Sequence, residues 1–250
     1  DLARRLDWRQ MARMVLDVGF PRSGLLTGSN IERMLQEVIG VGMIEDLGRP
    51  YAAVATDLLA HREAVFTRGG LAAAIRASIS IPGVFVPARC GERALVDGAL
   101  VNPLPVSVLR AMGAARIIAV DVNLRSGAGC DAAPAAENDA REQVAPADDL
   151  IQRILQRLPR RSARMDALVR KWAHRRSDPT IFDVLTQSMR IFENQVTRSR
   201  LLTDPPDVLL QPAVGDIATL DFARSAPAIA AGEQAVADKL PALRALLDEL

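Results

Sequence analysis

Residues 75–123, IRASISIPGVFVPARCGERALVDGALVNPLPVSVLRAMGAARIIAVDVN, change character every few positions, and this alternation constrains the fold more than any other feature. An Ala-rich helical segment from Leu71 is broken at Ser80-Ile81-Pro82-Gly83, because Pro lacks a backbone N–H and Gly does not hold a helix. Two short strand candidates follow, at residues 84–88 and 94–96, joined through Gly91. Asp97-Gly98 marks the next turn. Pro103 and Pro105 then open a helix to about Met112, with Pro at a tolerated early position. Residues 116–122 are a β-branched run with little alternation, which predicts a strand covered on both faces, as in a largely parallel sheet. Strands alternating with helices give an α/β class: a layered, mostly parallel sheet flanked by helices.

The flanking regions extend this pattern. Residues 1–17 read as an amphipathic helix, and residues 19–24 as a turn. Ser29 is the expected N-cap of a second helix, with Ile31, Met34, Leu35 and Val38 as its buried stripe and Gly40 and Gly42 at its end. Residues 51–56 predict a buried strand and residues 63–67 its partner. Asp178-Pro179 starts a helix reaching about Leu202, with Ile181, Val184, Leu185, Ile191, Phe192 and Val196 inward, and Pro205-Pro206 stops it. Residues 207–211 predict a last strand, and residues 232–250 a terminal helix. A single domain over residues 1–250 is expected, interrupted at 127–176 by a mobile insertion that is first acidic and then basic.

Composition removes several classes. The 49% hydrophobic and 24% charged residues are those of a globular protein with an aliphatic core, since only 4% is aromatic. No apolar run is long enough for a transmembrane helix, and the charged N-terminus is no signal peptide. Cys90 and Cys130 lack C-x-x-C spacing, and His61 and His174 lack a ligand at helical spacing, so no metal or other cofactor is expected. The net charge of +1 hides a local asymmetry between an acidic and a basic stretch within residues 127–176.

The chemistry centres on Asp97. A carboxylate on a tight turn at a sheet edge is rigidly held and open to substrate. Glycine at position 98 permits backbone conformations that other residues avoid. An Asp-Gly pair alone is a common turn, and Asp97 could equally cap its own backbone. Asp57 and Asp121 end strands and carry the same ambiguity, while His61 reads as a hairpin surface residue. Asn102 either orients the Asp97 turn or bonds a backbone group.

Five ordered segments tip the balance toward catalysis: Pro21-Arg22-Ser23-Gly24-Leu25, Ala77-Ser78-Ile79-Ser80-Ile81-Pro82-Gly83-Val84-Phe85, Asp97-Gly98-Ala99 with Asn102-Pro103, Asn194-Gln195-Val196-Thr197-Arg198, and Pro206-Asp207-Val208. Together they resemble patatin-like phospholipases of the bacterial and neuropathy-target-esterase-like branch, over most of the chain apart from residues 127–176. The resemblance implies a serine lipid acyl hydrolase that cleaves carboxylic esters with a Ser–Asp dyad. It implies Asp97 as the base, with Gly98, Ala99 and Asn102 as its supporting turn, a lipid or ester substrate, no cofactor, and a cytoplasmic protein at the membrane periphery. The family's nucleophile elbow, Gly-x-Ser-x-Gly, is absent: Ser23, Ser29, Ser78, Ser80, Ser107 and Ser126 all lack the flanking glycines. No Gly-rich oxyanion loop is present either, so the expectation is a fold truncated at its N-terminus, contributing the Asp and inactive alone.

The alternative is a non-catalytic scaffold that binds lipid or a protein partner through residues 151–176. Arg153, Arg157, Arg160, Arg161, Arg164 and Trp172 lie there in a cationic amphipathic pattern suited to an anionic membrane surface. Each near-surface basic residue would add about 1 kcal/mol to such binding. The same pattern also fits a solvated basic face. Nucleic acid is not an expected partner, because aromatic interleaving is missing. The oligomeric state is left open.

Overall fold

The computed structural model describes residues 24–40, 42–123, 181–217 and 224–248. The predicted helix at 1–17, the turn before Gly24, the insertion at 127–176 and the start signal at Asp178-Pro179 lie outside them.

The class is α/β, as expected. Its strands are β1 (Gly24–Leu26), β2 (Ala53–Asp57), β3 (Arg62–Phe66), β4 (Gly83–Phe85), β5 (Ala88–Cys90), β6 (Arg93–Asp97), β7 (Ile118–Val120) and β8 (Val208–Leu210). Its helices are α1 (Ser29–Ile39), α2 (Leu71–Ser78), α3 (Val106–Ala111), α4 (Ile181–Thr203), α5 (Ser225–Asp238) and α6 (Leu240–Asp248). Strand direction is divided among three sheets. Parallel pairing joins β1 to β4 and β7 to β8, whereas β3-β2-β6-β5 is an antiparallel sheet. The single strand expected at 84–88 is split: β4 joins β1, and β5 turns through Gly91 into β6.

β2 is buried along its whole length, as its apolar run predicted. It lies between β3 and β6, with Ala55 opposite both Ala64 and Asp97. Ala55, Ala64, Ala77 and Leu95 form one core cluster, and Ile44, Ala53, Leu71 and Ala74 form the next. Alanines on both surfaces let α2 pack closely on the sheet. A third cluster, Leu104, Val106, Ile117 and Ala119, holds α3 against β7.

Four sequence expectations are corrected. The run at 116–122 is not covered on both faces: Ile117, Ala119 and Asp121 are buried, but Ile118, Val120 and Val122 are exposed. One face packs on Leu104 and Val106 while the other meets solvent. The N-cap of α1 is Gly28, at φ 75, and Ser29 is the first helical residue. None of α1 is fully buried, and Val38 is 49% exposed. The terminal helix starts earlier than expected and is divided in two at Lys239, ahead of Pro241.

The fourth correction matters most for the site. Val184, Leu185, Ile191 and Phe192 of α4 point outward, and Val196 is half-buried. The inward stripe is polar: Arg190, Glu193, Thr197 and Arg200, at helical spacing of three and four. The surface beneath explains this. Arg200 Nη2 donates to the carbonyl of Val101 (3.0 Å), and Arg190 donates to those of Gly215 (3.2 Å) and Ile217 (3.4 Å). Turn carbonyls need donors, which an apolar helix face cannot supply.

Candidate active site

Asp97 closes β6 and caps a short 3₁₀ turn, Gly98–Leu100. Its backbone is held from two directions. Its N–H donates to Ser80 O (3.0 Å), and its carbonyl accepts from Thr56 Oγ1 (2.8 Å). Its Oδ1 accepts from the Ala99 N–H (2.9 Å). Among the described residues that is the only donor to this carboxylate. Burial pushes the Asp97 carboxyl above the ordinary carboxylate range, and the Ala99 N–H offsets this in part.

Gly98 is required for a steric reason and not for the conformational freedom expected of it. It is not among the positive-φ glycines. A Cβ here would lie 2.3 Å from Val54 O, so a side chain would collide with the β2 backbone. The closeness of β2 therefore decides where the Asp97 carboxylate sits.

Asn102 is buried, and its side-chain donor goes to other side chains and not to a backbone group. Its backbone N–H donates to Gly98 O (2.9 Å), and its Nδ2 donates to Glu63 Oε1 (2.7 Å) and Ser107 Oγ (3.2 Å). These bonds tie the turn to β3 and α3. Its Oδ1 has no partner among the described residues.

Ser80 links two of the quoted sequence segments. It is fully buried and donates its hydroxyl to Arg76 O (2.7 Å), while the Arg76 guanidinium donates back to Ser80 Oγ. Arg76 Nη2 also donates to Thr27 O (2.7 Å) and Val86 O (3.0 Å), and the guanidinium lies over the Phe85 ring, 5.2 Å from its centroid. Room for Arg76 comes from Gly28, where a Cβ would lie 2.1 Å from Nε. One buried guanidinium thus joins α2, the entry to α1 and the segment after β4, and it supports the residue whose carbonyl holds Asp97. The sequence reading missed Arg76. Its signal was a cation in an otherwise Ala-rich helix with a Ser four residues on.

The remaining candidates separate. Asp57 caps the β2–β3 hairpin: its Oδ1 accepts from Leu59 and Ala60 (3.0 Å each), and these backbone bonds lower its pKa. His61 is exposed in that hairpin, at φ 53. Asp121 accepts from the Asn123 N–H (3.1 Å) and Gln211 Nε2 (3.2 Å). Arg153, Arg157, Arg160, Arg161, Arg164 and Trp172 lie outside the described residues. Among the described residues, no cluster of His, Cys, Asp and Glu could hold a metal, and no helix is long and apolar enough to cross a membrane.

Residues 2–110, which contain this turn and its supports, match the model of patatin-like phospholipases. This stretch of the chain is similar to that family. Relatives agree with that family. An uncharacterised NTE family protein of Mycobacterium tuberculosis is 41% identical over 142 residues, covering 57% of this chain and 37% of the relative. A second from the same organism is 39% identical over 106 residues, covering 42% of this chain and 18% of the relative. Patatin-like phospholipase domain-containing protein 7 of Rattus norvegicus is 35% identical over 122 residues, covering 48% of this chain and 9% of that protein. The chain therefore spans well under half the length of these relatives.

Proposed function

We propose that Asp97 is the general base of a lipid acyl hydrolase. It takes the proton of a serine hydroxyl as that oxygen attacks the carbonyl carbon of a carboxylic ester. The same proton passes from Asp97 to the departing alcohol, leaving an acyl-serine. Water then attacks the acyl carbon, Asp97 takes its proton and returns it to the serine, and the carboxylic acid leaves.

One observation carries this reading. Asp97 is a half-buried carboxylate on a fixed backbone, with a single N–H donor among the described residues and a raised proton affinity. A carboxylate in water is a weak base for an alcohol, and burial moves it toward usefulness. The names of the family and of the rat relative favour phospholipid esters as the substrate class.

The 250 residues contain no Gly-x-Ser-x-Gly, so the proposal places the serine and its oxyanion donors elsewhere in the full-length protein. The isolated chain is then inactive. A cytoplasmic enzyme working at a membrane surface completes the proposal.

The test is turnover of a p-nitrophenyl ester by the full-length protein and its Asp97→Asn variant. Asparagine keeps an acceptor for the Ala99 N–H but cannot take a proton. The expected result is a loss on the order of 10²–10⁴-fold with the fold intact. Activity retained in the variant overturns the assignment.

A further inference from the structure

β2 is buried along its whole length and reads Ala53-Val54-Ala55-Thr56-Asp57. Thr56 carries the strand's one hydroxyl, where Val would have nearly the same shape. Burying a hydroxyl costs free energy unless it is hydrogen-bonded. At 5% exposure Thr56 has a partner: its Oγ1 donates to the carbonyl oxygen of Asp97 at 2.8 Å. Ser80 holds Asp97 with a main-chain carbonyl and Ala99 holds it with a main-chain N–H. Thr56 uses its side chain, so this is the support that a substitution removes by itself.

The place of the bond in the chain gives it leverage. A peptide unit is planar, so one hydrogen bond orients the whole unit. The Asp97 N–H, bound to Ser80 O at 3.0 Å, belongs to the unit that enters Asp97. The Asp97 carbonyl belongs to the unit that leaves it for Gly98. The N–H of Ala99, which holds Asp97 Oδ1 at 2.9 Å, lies one unit further on. The β2–β6 register ends at Ala55 opposite Asp97, so Thr56 acts where strand pairing stops. Val54 on the same strand already limits Gly98, whose added Cβ would lie 2.3 Å from Val54 O. β2 therefore both presses on the turn and holds it.

We propose that Thr56 is a positioning residue for Asp97: its hydroxyl sets the peptide between Asp97 and Gly98, and through it the direction of the carboxylate. This rests on the reading of Asp97 as the base. Without the hydroxyl the 97–98 peptide turns, the Ala99 N–H leaves Oδ1, and the carboxylate moves off its line to the serine hydroxyl. The loss falls on kcat and leaves KM unchanged, because the bond touches the base and not the substrate.

Ester turnover by the full-length protein tests this in Thr56→Val and Thr56→Ser, read together with the Ala99 amide proton by NMR. Val keeps both branches of the side chain but cannot donate, whereas Ser keeps the donor and loses the methyl. The expected kcat falls on the order of 10-fold in Thr56→Val and stays within about threefold of wild type in Thr56→Ser. A merely structural role predicts the opposite order, since Ser leaves a small cavity that Val does not. Thr56→Ala differs from Thr56→Ser by the hydroxyl alone and repeats the comparison should Val fail to fold. Because the Ala99 N–H donates to Oδ1, its proton shift follows the ionisation of Asp97 between acid and neutral pH. That swing is kept in Thr56→Ser and much reduced in Thr56→Val. With Asp97→Asn inactive, an unchanged kcat or an unchanged Ala99 swing in Thr56→Val overturns the proposal, and so do equal kcat losses in the Val and Ser variants. An active Asp97→Asn beside a reduced swing in Thr56→Val removes the base and keeps Thr56 as the residue that orients the carboxylate.

Discussion

Two aspartates end paired strands of one sheet and meet opposite fates. Asp57 ends β2 and Asp97 ends β6, and because these strands are antiparallel the turns they open run toward opposite ends. Asp57 Oδ1 accepts two backbone N–H groups and its proton affinity falls. Asp97 Oδ1 accepts one, burial outweighs it, and its proton affinity rises. The surroundings differ in the same sense. Leu58, Leu59, Ala60 and His61 after Asp57 are exposed, whereas Gly98 is pressed on β2 and Asn102 is buried. The residue type and the strand end are shared, so the count of donors and the covering of the turn separate a structural cap from a candidate base.

The largest expected effect tests the covering. Gly98→Ala forces a Cβ onto Val54 O and is expected to cost about 3 kcal/mol in urea unfolding. Leu59→Ala in the Asp57 turn removes a side chain that is 69% exposed and is expected to stay within about 0.5 kcal/mol of wild type. Equal costs would erase the contrast between the turns. Next comes the support beneath Asp97. Arg76→Met removes the guanidinium donor to the Thr27 and Val86 carbonyls and to Ser80 Oγ, while the Ser80 hydroxyl keeps its bond to the residue-76 carbonyl, for an expected loss of about 2 kcal/mol. If Ser80 positions Asp97, this variant also lowers kcat of the full-length protein in proportion to its disturbance of the β6 end, whereas a merely stabilising role leaves kcat unchanged at temperatures well below Tm.

Much of this was legible in the sequence. The apolar run at residues 51–56 announced a buried strand, and Val96-Asp97-Gly98-Ala99 announced a turn after a strand, because local preferences and tertiary fold agree there. Other features depend on partners that a sequence does not display. Periodicity on α4 set Val184, Leu185, Ile191, Phe192 and Val196 inward, but it could not tell which face the turn carbonyls would select, and the first four are exposed. The β7 run looked doubly covered because β-branched composition reports a strand and not what lies above each face. The need for Gly98 comes from β2, more than forty residues earlier, and Arg76 serves carbonyls on both sides of it.

The most direct test of the contrast is stability against pH for Asp97→Asn and Asp57→Asn beside wild type. A carboxyl whose folded-state proton affinity is raised favours the fold at low pH and loses that contribution as pH rises through its folded pKa. One whose affinity is lowered favours the fold above the ordinary Asp range and loses that contribution on acidification through its folded pKa. At pH 7, Asp97→Asn is therefore expected to be at least as stable as wild type, while Asp57→Asn is less stable by a margin that closes as the pH falls below the ordinary Asp range. An Asp97→Asn protein clearly less stable than wild type at pH 7, beside an unaffected Asp57→Asn, would make Asp97 the structural cap and contradict the account.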